Sequence, residues 1–79
     1  MVDIYPNPST GQFEIILNIP KTGEMSIQVY SVTGQLVQSR ELILSTGHHT
    51  EVFNLEQKGI YLVEIRSGQD QVFRKVLIQ

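Results

Sequence analysis

Apolar and polar residues alternate along most of this chain, with a period of two rather than the roughly 3.6 of a helix. In Gln12-Phe13-Glu14-Ile15-Ile16-Leu17-Asn18, residues Phe13, Ile15 and Leu17 share one face, because successive side chains of a strand point to opposite sides. Pro20 and Gly23 interrupt the pattern. It resumes with Met25, Ile27 and Val29 inward and with Ser26 and Gln28 outward. Thr33-Gly34 then predicts a hairpin tip, with Gly34 supplying a positive φ.

Leu36 to Leu44 is longer and less regular, which predicts one strand with a bend or bulge near Ser39-Arg40. Ser45-Thr46-Gly47 turns the chain, and His49 to Leu55 alternates again, with Glu51, Phe53 and Leu55 sharing a parity. After Gln57-Lys58-Gly59 comes the strongest strand, Ile60 to Arg66. It puts Tyr61, Val63 and Ile65 on one side and Ile60, Leu62, Glu64 and Arg66 on the other. Ser67-Gly68-Gln69-Asp70 makes a short hairpin into Gln71 to Ile78. With Val2 to Tyr5 as a first short strand, the count is about seven, separated by Gly-bearing turns. That spacing predicts an all-β chain folded as an antiparallel sandwich of two sheets.

Seventy-nine residues, 41% of them hydrophobic, are enough for one domain with one core. There is no cysteine, so no disulfide framework is available. Six basic and eight acidic residues are scattered, giving a net charge of −2. Nucleic-acid binders instead gather cations on one face, so no nucleic-acid partner is expected. No apolar run approaches the ~20 residues of a membrane span, so no membrane insertion is expected. The opening residues carry no charged stretch leading into an apolar one, so they do not read as a signal peptide.

A search for reactive constellations yields no catalytic residue, no metal ligand set and no cofactor. His48 and His49 are adjacent in a strand and therefore point to opposite faces, where they cannot grip one ion together. The acids are dispersed at outward or turn positions, and none falls in the spacing of a calcium loop. The chain also lacks a nucleophile elbow, a phosphate loop and a zinc-protease motif. The residues that stand out are turn formers. In Tyr5-Pro6-Asn7-Pro8-Ser9-Thr10-Gly11, Pro6 and Pro8 fix φ, remove two donors and push the preceding residues into extended conformations. Asn7 is expected to cap this turn by accepting an N–H two residues on, and Gly11 to close it with a left-handed backbone. A rigid corner leading into the first core strand is one role for the segment, and a presented epitope is another.

These residues resemble a family: the C-terminal sorting domains of proteins exported by the type IX secretion system of Bacteroidetes. Ile4-Tyr5-Pro6-Asn7-Pro8-Ser9-Thr10-Gly11 is similar to its Y-P-N-P-x-x-G signature. Val29-Tyr30-Ser31-Val32-Thr33-Gly34-Gln35-Leu36-Val37 is similar to its V-Y-D-x-x-G-x-x-V segment, with Ser31 in place of the usual Asp. Lys58-Gly59-Ile60-Tyr61-Leu62-Val63-Glu64-Ile65 resembles K-G-x-Y-x-V-x-I, and Lys75-Val76-Leu77-Ile78 resembles the closing basic-then-aliphatic strand. Each motif alone is weak, but four in the right order and spacing are specific. Leu55 is a further departure, sitting four residues before Gly59 where members often place an aliphatic residue three before it.

The resemblance implies an immunoglobulin-like fold and a cargo address rather than a reaction. It implies that residues 1–79 are one C-terminal sorting domain of a larger secreted protein, covalently linked to a passenger. Its partners would be the outer-membrane machinery, including shuttle and sortase-like components. The passenger would travel through periplasm and outer membrane to the cell surface or medium, commonly with removal of the domain. The motif residues that carry this expectation are Pro6, Asn7, Pro8, Gly11, Gly34, Gly59, Tyr61 and Lys75. The last strand, with Phe73, Arg74, Lys75 and Leu77, offers a surface for a partner and an edge for strand addition. Arg74 and Lys75 serve equally to discourage edge-to-edge aggregation. A reading from another class is a fibronectin-like accessory or carbohydrate-binding module. Phe13, Phe53 and Tyr61 look committed to the core, which leaves Tyr5, Tyr30 and Phe73 for such a site.

Overall fold

The computed structural model of the chain describes residues 2–79. Seven strands run in order: β1 (Val2–Tyr5), β2 (Gln12–Ile19), β3 (Gly23–Ser31), β4 (Leu36–Leu44), β5 (Gly47–Asn54), β6 (Gly59–Ser67) and β7 (Asp70–Ile78). They form a three-stranded sheet, β1-β2-β5, and a four-stranded sheet, β4-β3-β6-β7. All strand pairs are antiparallel. The two sheets face each other as a sandwich, as the alternation predicts, and the fold is the immunoglobulin-like one that the resemblance implies. No helix is long and apolar enough to cross a membrane among the described residues.

The inward faces are those the period-two pattern selects. Phe13, Ile15, Leu17 and Ile19 of β2 meet Met25, Ile27 and Val29 of β3 and Tyr61, Val63 and Ile65 of β6 in one buried cluster. Phe13 and Phe53 are direct partners across the β2–β5 ladder, and their rings stack with centroids 5.7 Å apart. Together they remove the largest apolar surfaces in the domain from water.

The irregularity expected near Ser39-Arg40 lies elsewhere. Val29 pairs with Gln38 and Tyr30 with Leu36, so Val37 is the extra residue, beside the β3–β4 turn. Ser39 and Arg40 pair evenly. The pattern looks irregular there because the inward positions of β4 change character along its length. Leu42 and Leu44 join the core, whereas Gln38 and Arg40 reach across the open side of the sandwich to β5. Arg40 meets Glu51 at 2.9 Å, the carbonyl of Val52 at 3.2 Å and the face of the Phe53 ring at 3.9 Å. Gln38 donates to the carbonyl of Asn54 at 2.6 Å. Polar side chains from β4 thus occupy carbonyls along the β5 edge, which would otherwise be open to pairing.

Candidate functional site

The strand directions place the turns of all four motif segments at one pole of the sandwich. The Tyr5–Gly11 corner, the Ser31–Gln35 turn, the loop before Gly59 and the end of β7 all lie there. The Pro20–Thr22, Ser45–Thr46 and Gly68–Gln69 turns lie at the other pole. A concavity of about 710 Å³, lined by Leu17, Ile19, Met25 and Ile65, also belongs to that other pole. Its lining includes none of Pro6, Asn7, Pro8, Gly11, Gly34, Gly59, Tyr61 and Lys75.

At the motif pole the chain crosses from one sheet to the other. After β1, the segment Pro6–Ser9 runs onto the exposed edge of β7. Ser9 pairs in parallel with Ile78, donating its N–H to Leu77 at 2.9 Å and accepting from Gln79 at 2.8 Å. Pro6 and Pro8 lack amide hydrogens and cannot donate to this edge, and before Ser9 the contacts come from the side chain between them. Asn7 Nδ2 donates to the carbonyl of Lys75 at 2.8 Å, and its Oδ1 accepts from the N–H of Leu77 at 3.0 Å. Its amide therefore substitutes for the peptide group of a neighbouring strand.

This corrects the local cap expected of Asn7. Ser9 supplies the cap instead: its buried hydroxyl accepts the N–H of Gly11 at 3.1 Å and donates to the carbonyl of Gln12. With the prolines fixing the backbone on either side, the Asn7 amide is committed to β7. Gly11 takes the positive φ expected, +141°. Its carbonyl accepts the N–H of Leu55 at 2.9 Å, and a Cβ there would sit 3.1 Å from the carbonyl of Leu55. The buried Leu55, atypical in its spacing from Gly59, is thus tied to the first motif.

The second motif shapes the β3–β4 turn, where Gly34 has φ +89°. The Ser31 hydroxyl accepts the N–H of Gln35 at 3.2 Å. Asp would offer a carboxylate oxygen to the same N–H from one bond further out, so the departure at Ser31 keeps the turn's capping chemistry. In the third motif Gly59, with φ +149°, opens β6 opposite Ile78. Tyr61 is buried among core residues, and its hydroxyl donates to the carbonyl of Gln57 at 2.7 Å, closing the turn before Gly59. Lys75 sits across from Leu62, with its side chain exposed on the outer face of the four-stranded sheet.

One functional-looking group was misjudged from sequence. Glu64, expected outward and solvated, is only 6% exposed. It lies on the outer face but accepts hydrogen bonds from Gln71, from Arg66 at 2.9 Å and from Tyr30 at 3.3 Å. The Gln71 amide, helped by Arg66 and Tyr30 and opposed by partial burial, holds the Glu64 carboxyl below the usual carboxylate range. Partial burial and the adjacent carboxylate push the Tyr30 hydroxyl up. The cross-strand pairs Gln28–Glu64–Phe73 and Ser26–Arg66–Gln71 bring these groups together. Alternation alone contains no such register.

Among the described residues no group of three or more His, Cys, Asp or Glu side chains could hold a metal ion. The aromatic residues left exposed do not form a row. Tyr5, 67% exposed, lies on the three-stranded sheet, whereas Phe73, 47% exposed, lies on the other. No curated protein matches the chain. Residues 3–79 do match the family model described as the secretion system C-terminal sorting domain. That family is a non-catalytic C-terminal sorting signal of type IX secretion. It implies interaction with that machinery and export to the cell surface or extracellular space. The match spans essentially the whole chain, and the protein belongs to the secretion system C-terminal sorting domain family.

Proposed function

We propose that residues 1–79 are one self-contained address on a larger exported protein, read as a folded unit at the motif-bearing pole and along the adjoining last strand. The passenger is covalently linked, a shuttle component receives the domain at the outer membrane, and a sortase-like peptidase removes it. In this reading Pro6, Asn7, Pro8, Gly11, Gly34, Gly59 and Tyr61 build the pole. Lys75 presents a charge to the partner.

The observation that carries the reading is the convergence of the four motif segments. They are separated by long stretches of sequence, yet each ties its turn to a neighbour at one end of the sandwich. The first motif holds the fourth through Asn7 and Ser9, and the fourth pairs with the third through Gly59 and Ile78. A core needs buried apolar residues at both poles, but here the marked turn residues gather at one. A surface recognised on many different passengers has to be built within the domain itself, and this pole is.

The test is a fusion of the whole chain behind a signal peptide and a reporter, in a type IX-competent cell. The expected result is reporter at the cell surface or in the medium; a reporter that stays in the periplasm overturns the proposal. Lys75→Ala is expected to lower export with little change in melting, because the fold uses the carbonyl of Lys75 and not its ammonium group. Unchanged export would remove Lys75 from the contact surface.

A further inference from the structure

The edge of β7 is only half covered. Leu77 donates its N–H to Asn7 and accepts the N–H of Ser9 at its carbonyl, so both its backbone groups point away from β6. Residues two apart in an antiparallel ladder point the same way. The backbone groups of Lys75, Phe73 and Gln71 therefore face outward too. Asn7 takes the carbonyl of Lys75, and the Arg74 guanidinium folds back onto the carbonyl of Phe73 at 3.0 Å. The N–H groups of Phe73 and Lys75 and both groups of Gln71 have no strand beside them among the described residues. The edge already accepts one extended segment, Asn7–Ser9, and stops where that segment stops.

From this geometry we infer that the open half of the β7 edge, Gln71 to Lys75, receives an extended acidic segment of the secretion machinery as an added strand. Asn7 sets where that strand must end. The inference rests on the sorting function proposed above and names how the partner engages.

Backbone and charge define the occupant. Alternating outward donors and acceptors are complemented by a strand rather than by a helix or a flat surface. Arg40 and Arg66 each have a carboxylate partner, Glu51 and Glu64. Arg74 and Lys75 have none among the described residues, and they stand at the end of the open stretch nearest Asn7. A segment carrying carboxylates supplies the missing counter-charge and releases Arg74 from the Phe73 carbonyl, freeing it for the ladder. A second copy of this chain is a poor occupant. Antiparallel self-pairing over Gln71–Lys75 would gather four cations, two from each copy, with no acid in the paired stretch. On the outer face the half-exposed Phe73 and Leu62 provide an apolar shelf beside the added strand.

The test uses the whole chain fused to the exported reporter, with Phe73→Pro, Phe73→Leu and Lys75→Glu compared with the parent. Proline deletes a donor that faces solvent and blocks an incoming strand, and edge strands tolerate it. Phe73→Leu keeps both the donor and an apolar side chain. The expected result is that all variants melt close to the parent and that Phe73→Leu exports within about twofold of it. Phe73→Pro and Lys75→Glu should each fall about tenfold, roughly the effect of one lost backbone hydrogen bond or charge pair. Folded Phe73→Pro exported as well as Phe73→Leu overturns the inference, as does folded Lys75→Glu exported at the parental level should the proline variant fail to fold. Either result would leave edge protection as the role of the two cations. A parent fusion that is not exported overturns the sorting function itself, so the two failures are distinct.

Discussion

The side-chain amide of Asn7 grips β7 at two successive outward groups, donating to Lys75 at 2.8 Å and accepting from Leu77 at 3.0 Å. The first and last motifs of the chain thereby form one structural unit, in which a side chain between two prolines does the work of a strand. Its loss removes two hydrogen bonds on a solvent-accessible edge, where water can replace them in part. Asn7→Ala should therefore cost about 1–2 kcal/mol. For a domain of this length that is a fall in melting temperature of about 4–15 °C. Asn7→Asp retains the acceptor for Leu77 and loses the donor to Lys75, so it should fall between the two. Thermal melts of the three proteins order them, and an Asn7→Ala variant that melts like the parent would contradict the clamp.

Gly11 and Gly59 lie in the same region of backbone space but for different local reasons, and their alanine variants should differ. At Gly59 a Cβ meets only the edge of the Tyr61 ring at 4.0 Å, an ordinary contact. Its φ of +149° is the main penalty, and Gly59→Ala should cost about 1–3 kcal/mol through backbone strain. Gly59→Val should cost more, because a β-branched side chain tolerates that backbone less well. At Gly11 the same kind of strain combines with a Cβ 3.1 Å from the carbonyl of Leu55, a backbone atom held by the β5–β6 loop. Gly11→Ala should be the more damaging of the two alanine variants in urea denaturation. The reverse order would mean that the Gly11–Leu55 contact relaxes freely.

Alternation made the sandwich legible because one central strand of each sheet, β2 and β6, buries an alternating apolar row. Phe13, Ile15 and Leu17 are buried on β2, as are Tyr61, Val63 and Ile65 on β6. The pattern misled at β4, where the inward residues Gln38 and Arg40 serve the open flank of the sandwich instead of its interior. The positive φ values of Gly11 and Gly34 were legible from turn chemistry. The role of Asn7 was not. Its partner is 68 residues away, and the flanking prolines suit a local cap and a long-range clamp equally well. Glu64 was hidden for a related reason: its position on β6 is polar and outward, but Tyr30 and Gln71 cover it from neighbouring strands. Only the ladder register brings those three together.

Arg40 closes the flank opposite the Asn7 clamp, and its three contacts need the planar, forked guanidinium. Lysine can keep a single charge contact with Glu51. It cannot also reach the carbonyl of Val52 and lie flat over Phe53. Arg40→Lys should cost about 0.5–1.5 kcal/mol, the sum of a modest cation–π term and a partly exposed hydrogen bond. Because lysine keeps the charge, salt screens the pair with Glu51 alike in parent and variant, and the loss should shrink only slightly when salt is raised. A melting difference that vanishes in high salt would show that charge alone, and not the shape of the guanidinium, accounts for Arg40.

The Glu64 cluster gives the domain a definable acid limit. Its carboxyl is held below the usual range chiefly by the Gln71 amide, with Arg66 and Tyr30 assisting. A carboxyl with a lowered folded-state value binds a proton more readily in the unfolded chain. The stability this contributes is complete above the ordinary Glu value of about 4.3 and is lost as pH falls through the folded-state value. Melting temperature should therefore be flat with respect to Glu64 near neutrality and should decline below about pH 4.5. Gln71→Ala removes the leading cause of the shift, so its decline should be shallower, while its stability near neutrality should be lower than the parent's. Glu64→Gln abolishes this titration and should flatten the curve further. Parallel curves for the parent and both variants between neutrality and acid would mean that the acid limit belongs to other carboxylates, and that the Glu64 cluster orders the outer face of the sheet without setting the pH at which it fails.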